Sequence, residues 1–408
     1  IRLNTRHPKN VVRLDAPMIE PGDAEDDRYR RAARTLAAWR SDGTFHKDPR
    51  AAIYVYEQTY RVPGTPVERT QRGFFARLRL EPFEPGSGVL PHERTLAGVR
   101  EDRYRLLRAT GVNTSPVIGL YDDTGTDTGA ILQTLALTPG PGTPAADLVD
   151  DDGVRHRMIV VEADGPASAA VAELIATASA GPVTIADGHH RYETALRYRD
   201  ERRMSRSCEE DPAFDYLLML FLGTSREQLT VLPTHRLVAG LGDDGVARLM
   251  AGLGDLFTVA AAGRDELLAT FGAALERPGG NGRFGIWTRA GGSVLTARRA
   301  AFEPFLPEGG AAIRGLDVVL LGVALERLLG IDPGAVAEGG RVSFTKSASD
   351  AIDAVDTGRD GVDVAFLLEP TPVAAIAAVA ADGDVMPQKS TYFYPKALTG
   401  LVINPLEW

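Results

Sequence analysis

Hydrophobic and polar positions follow two different periods along the chain, and these periods predict alternating helices and strands. Residues 26–40 place Tyr29, Leu36 and neighbouring alanines at the three- and four-residue spacing of a helix with one buried face. Residues 51–56 and 73–80 are short runs rich in β-branched and aromatic residues, which favour strands. By the same criteria we predict further strands at 115–121, 158–162, 182–186, 215–222, 282–287, 293–297, 342–344 and 362–368, and further helices at 91–109, 166–180, 192–203, 243–253, 265–275, 316–329 and 373–381. This alternation predicts an α/β or α+β fold with mixed sheets and flanking helices.

The pattern changes near residue 241, where a second set of helices and strands begins. We therefore predict three parts: a lobe at 1–240 that carries the strongest polar motif, a second α/β lobe at 241–345, and a C-terminal segment at 346–408. The polar and aromatic stretch 386–396 has no helical period, and we expect it to return to the site of the first lobe.

The composition is that of an ordinary globular chain. Of the 408 residues, 44% are hydrophobic and 25% are charged, and this length has room for two or three domains. The longest apolar runs, such as 318–325, are too short for a membrane span of about 20 residues. The net charge of −10 argues against nucleic acid as a partner. Cys208 is the only cysteine, which excludes an intramolecular disulfide and favours a cytoplasmic location.

The strongest candidate for chemistry is the sequence Asp187-Gly188-His189-His190-Arg191. A β-rich run precedes it and a helical pattern follows, so we predict a turn between strand and helix. Glycine allows a ligand to approach the backbone, the first helical turn offers free N–H groups, and Arg191 adds a bidentate fork. These features predict an anion site of the phosphate-binding kind, with Asp187 as a proton acceptor, an orienting group or a ligand of Mg²⁺. The alternative is an ordinary Asp-Gly turn that caps a helix.

Two shorter motifs also combine histidine with arginine. PHERT places His92, Glu93 and Arg94 at a predicted helix start, where Glu93 is either a capping residue or a general base. PTHR places His235 and Arg236 at a polar break between apolar runs. Both motifs are candidates for the same site as the Asp-Gly turn.

The motif QKSTYFYPK near the end of the chain is a third candidate. Lys389, Ser390 and Thr391 are suited to binding phosphate oxygens, and Lys396 is a further basic candidate. The alternative is a strand held in a sheet by its aromatic residues. Both readings are compatible, because alternate residues of a strand face opposite ways.

Several common catalytic motifs do not occur in the sequence. It contains no P-loop and no GxSxG elbow. A zinc site made by His189 and His190 is disfavoured, because adjacent side chains diverge and no HExxH spacing is present.

Taken in order, the motifs resemble one known family. From residue 13 onward, PHERT, NTSPVIGLYDD, IADGHHRYETAL, LPTHR, MPQKSTYFYPK and TGL resemble a bacterial family catalogued as domain of unknown function 1015. Members of that family usually carry an upstream segment with a Pro-Pro-Tyr-Asp signature, which this sequence does not contain. The resemblance therefore implies a contribution to the site from outside the sequence.

The turn at 187–191 is also similar to the phosphate motif of the ParB/sulfiredoxin-like superfamily, which includes ParB-type nucleotide switches, sulfiredoxin and free-serine kinases. This resemblance implies a ParB/sulfiredoxin-like core in the N-terminal half, with 187–191 holding nucleotide phosphates. The serine kinases use a glutamate as base, and Glu93 is our candidate for that role. Sulfiredoxin has a cysteine in the equivalent turn. Histidines occupy those positions here, so we do not expect thiol chemistry.

Two functional hypotheses result. The first is a phosphotransferase acting on a small hydroxylated metabolite, specifically free serine or phosphoserine with ADP or ATP. The second is a non-enzymatic nucleotide-binding switch; a purely structural adaptor would leave the polar motifs without a role. For the first hypothesis the candidate residues are Glu93, Asp187 and His190 as catalytic groups, Gly188, His189, Arg191, Lys389, Ser390 and Thr391 as phosphate-binding groups, and His92, Arg94, His235, Arg236 and Lys396 as further candidates.

Overall fold

The computed structural model describes residues 2–93, 97–137, 145–205, 210–224, 229–272 and 282–407. In these ranges the α-helices are α1 (Arg2–Arg6), α2 (Val12–Asp15), α3 (Asp27–Ser41), α4 (Ala97–Thr110), α5 (Thr128–Leu137), α6 (Ser168–Ala178), α7 (His189–Ser205), α8 (Gly242–Leu256), α9 (Arg264–Phe271), α10 (Arg299–Phe302), α11 (Ala311–Arg314), α12 (Asp317–Leu329), α13 (Pro333–Glu338), α14 (Ala348–Thr357) and α15 (Val373–Ala381). The strands are β1 (Ala52–Arg61), β2 (Glu68–Arg79), β3 (Val89–Leu90), β4 (Val112–Asn113), β5 (Val117–Tyr121), β6 (Ala146–Val149), β7 (Arg155–Glu162), β8 (Val183–Asp187), β9 (Tyr216–Gly223), β10 (Thr230–Leu232), β11 (His235–Ala239), β12 (Phe257–Ala262), β13 (Arg283–Thr288), β14 (Gly291–Ala297), β15 (Val342–Thr345), β16 (Val362–Leu368), β17 (Tyr392–Tyr394) and β18 (Asn404–Pro405).

The first large sheet has eight strands and mixed direction, which confirms the predicted mixed α/β character. Its order is β3-β8-β5-β9-β2-β1-β7-β6. The pairs β3–β8 and β5–β9 are parallel, and the other neighbours are antiparallel. Strand β9 lies between β5 and β2 and is almost entirely buried, which explains why its sequence is a continuous apolar run.

The second large sheet has six strands, all antiparallel, in the order β12-β14-β13-β16-β11-β15. Its inner strands include β11, from the end of the predicted first lobe, and β16, from the predicted C-terminal segment. The division at 1–240, 241–345 and 346–408 stays a prediction about independent folding units.

A common hydrophobic core joins the two sheets. Tyr56 and Leu218 of the first sheet share one buried cluster with Val238 and Phe366 of the second. A separate cluster lies on the other face of the first sheet, which helices α4 to α7 cover. Near the end of the chain, β17 pairs with β10 and β18 pairs with β4.

The backbone at PHERT differs from the sequence-based expectation. His92 and Glu93 lie outside any helix, and Glu93 forms a parallel bridge with Met386. The amide of Met386 donates to the carbonyl of His92 at 2.8 Å. This backbone pairing with a segment almost 300 residues away keeps His92 and Glu93 extended, and helix α4 is described only from Ala97.

None of the helices in the described ranges is long and apolar enough to cross a membrane.

Candidate functional site

The turn between β8 and α7 carries the candidate anion site. Strand β8 ends at Asp187 and helix α7 begins at His189, so the predicted strand-to-helix junction is present. Gly188 has a φ of +100°, which residues with a side chain rarely adopt. A Cβ at this position would lie 2.9–3.1 Å from guanidinium atoms of Arg191. The backbone angle therefore favours glycine, and a Cβ here would displace the guanidinium of Arg191.

The carboxylate of Asp187 is held between two cations. Its Oδ1 accepts from Nζ of Lys396 at 2.5 Å, and its Oδ2 accepts from Nη2 of Arg191 at 2.6 Å. Burial alone would raise the pKa of Asp187, but the charges of Lys396 and Arg191 outweigh burial and lower the pKa below its ordinary value. Asp187 is therefore ionised at neutral pH, which suits a charge partner better than a proton acceptor.

The guanidinium of Arg191 has two protein partners. Besides Asp187, it donates to the backbone carbonyl of Pro116, which precedes β5. Its side chain remains 29% exposed. A phosphate that reaches this arginine has to share or replace these two acceptors.

His92 and His189 form a buried pair, with ring centroids 4.7 Å apart. The Nδ1 of His92 donates to the carbonyl of Ile185, which leaves Nε2 to accept from the hydroxyl of Thr391 at 3.0 Å. The Nε2 of His189 accepts from the amide of His92 at 3.2 Å. Burial lowers the pKa of His92 to about 4 and that of His189 well below its usual range. Both rings are therefore neutral hydrogen-bonding groups at neutral pH.

Glu93 is a half-buried carboxylate beside the C-terminal segment. Its Oε1 accepts from the backbone amide of Lys389 at 3.1 Å. Burial raises the pKa of Glu93 and repulsion from Asp187 adds to that shift, whereas the Lys389 amide and the charges of Lys389 and Lys396 oppose it. A carboxylate with a raised pKa is suited to accept a proton near neutral pH.

Lys389 has an unusual backbone that three contacts hold in place. Its φ is +58°, in the left-handed region that typically costs 1–3 kcal/mol for residues other than glycine. Its carbonyl accepts from Thr234 Oγ1 at 2.7 Å and from Arg236 Nη2 at 3.3 Å, and its amide donates to Glu93. The Lys389 side chain is exposed. Stored backbone strain of this kind is typical of functional turns.

Strand β11 sends Arg236 and His235 to opposite faces of the second sheet. Arg236 is buried, and its guanidinium donates to the carbonyl and hydroxyl of Thr234. Burial lowers the pKa of Arg236 to about 10, against the opposing charge of Glu93. His235 is also buried, its Nδ1 accepts from the amide of Leu368 at 3.1 Å, and burial lowers its pKa to about 3. Arg236 thus supports the Lys389 turn, and His235 packs in the sheet.

The remaining site candidates are Ser390, His190 and Arg94. Ser390 is buried, and its hydroxyl donates to the carbonyl of Pro387 at 2.5 Å. His190 is half-buried, and burial lowers its pKa, with the charge of Lys389 acting in the same direction. Arg94 lies outside the described residues. Hydrogen bonds between His92 and His189, Glu93 and Lys389, and Arg236 and Lys389 bring the four sequence-distant motifs into one polar cluster.

A metal held by Asp187 does not fit this arrangement. Both carboxylate oxygens already carry cationic partners, Lys396 and Arg191. In the part of the chain that the structure describes, no group of three His, Cys, Asp or Glu side chains could hold a metal ion. We therefore assign no step to a protein-held Mg²⁺.

Sequence reasoning missed Lys346 and Thr234. The Nζ of Lys346 lies 3.8 Å from the ring centroid of Tyr392, and that of Lys396 lies 4.5 Å from the same centroid. The available signal was the scarcity of lysine, because three of the five lysines in the chain meet at this segment. For Thr234, which holds the Lys389 carbonyl, the sequence offered only its place beside His235.

The fold and site together define a mixed α/β protein with a polar cluster where the first sheet, β11 and the C-terminal segment meet. The chain belongs to the family described as Protein of unknown function (DUF1015), which matches residues 2–319. The predicted family resemblance is thus confirmed for most of the chain, while the QKSTYFYPK segment lies beyond the matched range. No curated protein matches the chain.

Several solved structures are similar to it at low sequence identity. A free serine kinase in complex with AMP is 12% identical, with 84% of this chain and 95% of that chain covered and a TM-score of 0.39. A conserved hypothetical protein from Pyrococcus furiosus is 12% identical, with 80% and 95% covered and a TM-score of 0.37. SbnI with a C-terminal truncation, from Staphylococcus aureus, is 11% identical, with 80% and 85% covered and a TM-score of 0.38.

Proposed function

We propose that this protein is a phosphotransferase that moves a phosphoryl group between ADP or ATP and the hydroxyl of a small metabolite, with free serine as the specific candidate. One observation carries the proposal: a half-buried carboxylate with a raised pKa, Glu93, lies in one cluster with the strand-to-helix turn at Asp187 and with Lys389 and Lys396. The likeness of the turn sequence to the phosphate motif of free-serine kinases supports the choice of substrate.

Phosphoryl transfer needs cationic donors around the phosphates and a positioned base, but little covalent chemistry from the protein. In the proposal, N–H groups in the first turn of α7 and the side chains of His190, Arg191 and Lys389 bind phosphate oxygens. Helix α7 has 17 residues, so its N-terminus carries the full positive end of a helix dipole. The ParB/sulfiredoxin-like assignment of the core belongs to this proposal.

Glu93 acts as the base in this scheme. The serine hydroxyl oxygen forms a bond to the terminal phosphorus, the bond from that phosphorus to the bridging oxygen of the nucleotide breaks, and Glu93 takes the hydroxyl proton. Transfer from ATP leaves ADP, and transfer from ADP leaves AMP. The buried pair His92 and His189 holds the segment before Glu93 and the start of α7 in fixed relation.

The second candidate is a nucleotide-binding switch without turnover. The observation that favours it is the ion network Lys396–Asp187–Arg191, which connects the C-terminal segment to the turn. A phosphate that draws Arg191 or Lys396 away from Asp187 would alter how this segment sits. In that case binding changes a partner contact and no bond is broken.

A combined binding and turnover experiment separates the two. The purified protein is titrated with ADP and ATP, and is then incubated with nucleotide and serine, with and without Mg²⁺, while phosphoserine is measured by mass spectrometry. A nucleotide at 100 times its Kd adds about 2.7 kcal/mol to stability, which a thermal shift detects. Phosphoserine supports the kinase, binding without phosphoserine supports the switch, and no nucleotide binding contradicts both.

A further inference from the structure

One face of strand β1 contacts the C-terminal segment at every second residue. The hydroxyl oxygen of Tyr56 accepts from the backbone amide of Leu398 at 3.3 Å. Two residues further along β1, Gln58 Nε2 donates to the backbone carbonyl of Lys396 at 3.0 Å. Two residues beyond that, the ring of Tyr60 packs edge-on against the ring of Tyr394, with centroids 5.3 Å apart. Alternate strand residues share a face, so β1 and the segment run antiparallel in register.

A chain of hydrogen bonds fixes the direction of the Tyr56 contact. Asp150 Oδ1 accepts from the amides of Asp152 and Val154, at 2.9 Å each, and its Oδ2 accepts from His156 Nε2 at 3.0 Å. With the single proton of the ring on Nε2, the Nδ1 of His156 accepts the Tyr56 hydroxyl proton, at 2.6 Å. The Tyr56 oxygen is left with lone pairs for an incoming N–H, which the Leu398 amide supplies.

A hydrogen bond from a neighbouring side chain also orients Gln58. Gln71 Nε2 donates to its Oε1 at 3.3 Å, which turns the Gln58 amide nitrogen toward Lys396. Tyr56, Gln58 and His156 are each at most 1% exposed. When buried donors and acceptors are paired in this way, the hydrogen-bond network permits only one arrangement of the side chains.

These contacts surround Lys396, whose Nζ pairs with Asp187 at 2.5 Å. We propose that the β1 face made by Tyr56 and Gln58 is the positioning element that places Lys396 on Asp187. The two residues act through the backbone of the segment and do not touch the phosphate turn. Their effect on turnover rests on the proposed phosphotransfer, whereas their effect on the placement of Lys396 does not.

Lysine acylation followed by mass spectrometry tests the placement directly. The chain has only five lysines, and the exposed Lys47 serves as an internal reference. Tyr56→Phe removes one hydroxyl and Gln58→Leu removes one amide without loss of bulk. Tyr54→Phe is the matched control, because Tyr54 lies on the same strand face but its hydroxyl donates to Asp48.

We expect Tyr56→Phe and Gln58→Leu to raise the acylation rate of Lys396 relative to Lys47 by about fivefold each, the typical effect of one lost hydrogen bond, and Tyr54→Phe to leave it unchanged. Unchanged Lys396 acylation in either of the two variants, with far-UV circular dichroism like the parent, would overturn the proposal. If the parent forms phosphoserine, both variants are expected to lower kcat while the KM for nucleotide stays the same. If the parent forms none and the acylation pattern still holds, the proposed function fails and the positioning role stands.

Discussion

Glu93 shows how burial and charge set the chemistry of a single side chain in this site. Burial and the nearby Asp187 carboxylate raise its pKa, and the Lys389 amide is its hydrogen-bond donor. Asp187 is also half-buried, but two cations lower its pKa. Environments that separate the pKa values of two nearby carboxylates are the usual way in which a site obtains one base and one permanent charge.

The raised pKa of Glu93 predicts a cost in stability that depends on pH. The folded protein binds a proton at Glu93 more tightly than the unfolded chain does. This protonation contributes fully to stability below the unfolded pKa of the carboxyl, near 4.3, and the contribution is lost as the pH rises. Each unit of elevation is worth about 1.4 kcal/mol at high pH. Glu93→Gln, which still accepts from the Lys389 amide, should therefore raise the urea midpoint at pH 8 and leave it unchanged at pH 4. The exposed Glu84 offers the control substitution Glu84→Gln; equal shifts in both variants would show that burial of Glu93 is not the cause.

At the scale of elements, the site depends on the junction of β8 and α7. Strand β8 delivers Asp187, Gly188 makes the turn, and α7 begins immediately with His189. Arg191 then lies one helical turn beyond Asp187 and reaches back to it. The turn thus holds its own arginine in place before any ligand arrives.

Gly188→Ala tests this junction. Gly22 provides the control, since it also has positive φ, +89°, but a Cβ there would meet nothing within 4 Å. Each substitution introduces backbone strain of roughly 1–2 kcal/mol, but only Gly188→Ala also places a Cβ against Arg191. We expect Gly188→Ala to lower the free energy of unfolding more than Gly22→Ala, and the excess to shrink when Arg191→Ala is added. An excess that persists in the double variant would contradict the crowding argument.

Elements with strong local patterns were predictable from sequence, and those that depend on distant partners were not. Helix α15 and strand β16 match the expected ranges, because an alanine-rich helical run and a β-branched apolar run are local signals. Strand β12 was missed, since its small residues are mostly exposed and it forms by pairing with β14. The extended conformation of Glu93 depends on Met386, which no local pattern reveals.

The same limit applies to the candidate site. The turn at 187–191 and Lys389 could be singled out as site candidates because histidine and lysine are scarce in this chain. Glu93 could be singled out because it follows His92 directly. The pairing of Lys396 with Asp187 and the contacts of Gln58 with the C-terminal segment arise only from tertiary structure.

At the scale of the whole molecule, three buried neutral histidines make the fold sensitive to acid. Burial lowers the pKa of His92 to about 4, that of His235 to about 3, and that of His189 well below its usual range. Below about pH 6.5 these histidines bind protons in the unfolded chain but stay neutral in the folded protein. The free energy of unfolding therefore falls as the pH falls. Each such histidine contributes a slope of about 1.4 kcal/mol per pH unit until its folded pKa is reached.

Urea unfolding between pH 7 and pH 5 measures this slope. His235→Gln is expected to reduce the slope by roughly the contribution of one histidine. His235 lies in the second sheet, where it bonds to the amide of Leu368 and not to the turn at 187–191. His46→Gln, at an exposed position, should leave the slope unchanged. A slope that is the same in the parent and in His235→Gln would contradict the assignment of His235 as a buried neutral group.

Phosphoserine formation by Glu93→Gln, compared with the parent at saturating nucleotide, decides whether Glu93 is the base. The substitution keeps the shape of the side chain and its contact with the Lys389 amide, and it removes the base. We predict that nucleotide affinity stays within about twofold and that turnover falls by about 10²–10⁴-fold, the usual contribution of a positioned base. Full turnover in Glu93→Gln would show that this carboxylate does not accept the proton during phosphoryl transfer.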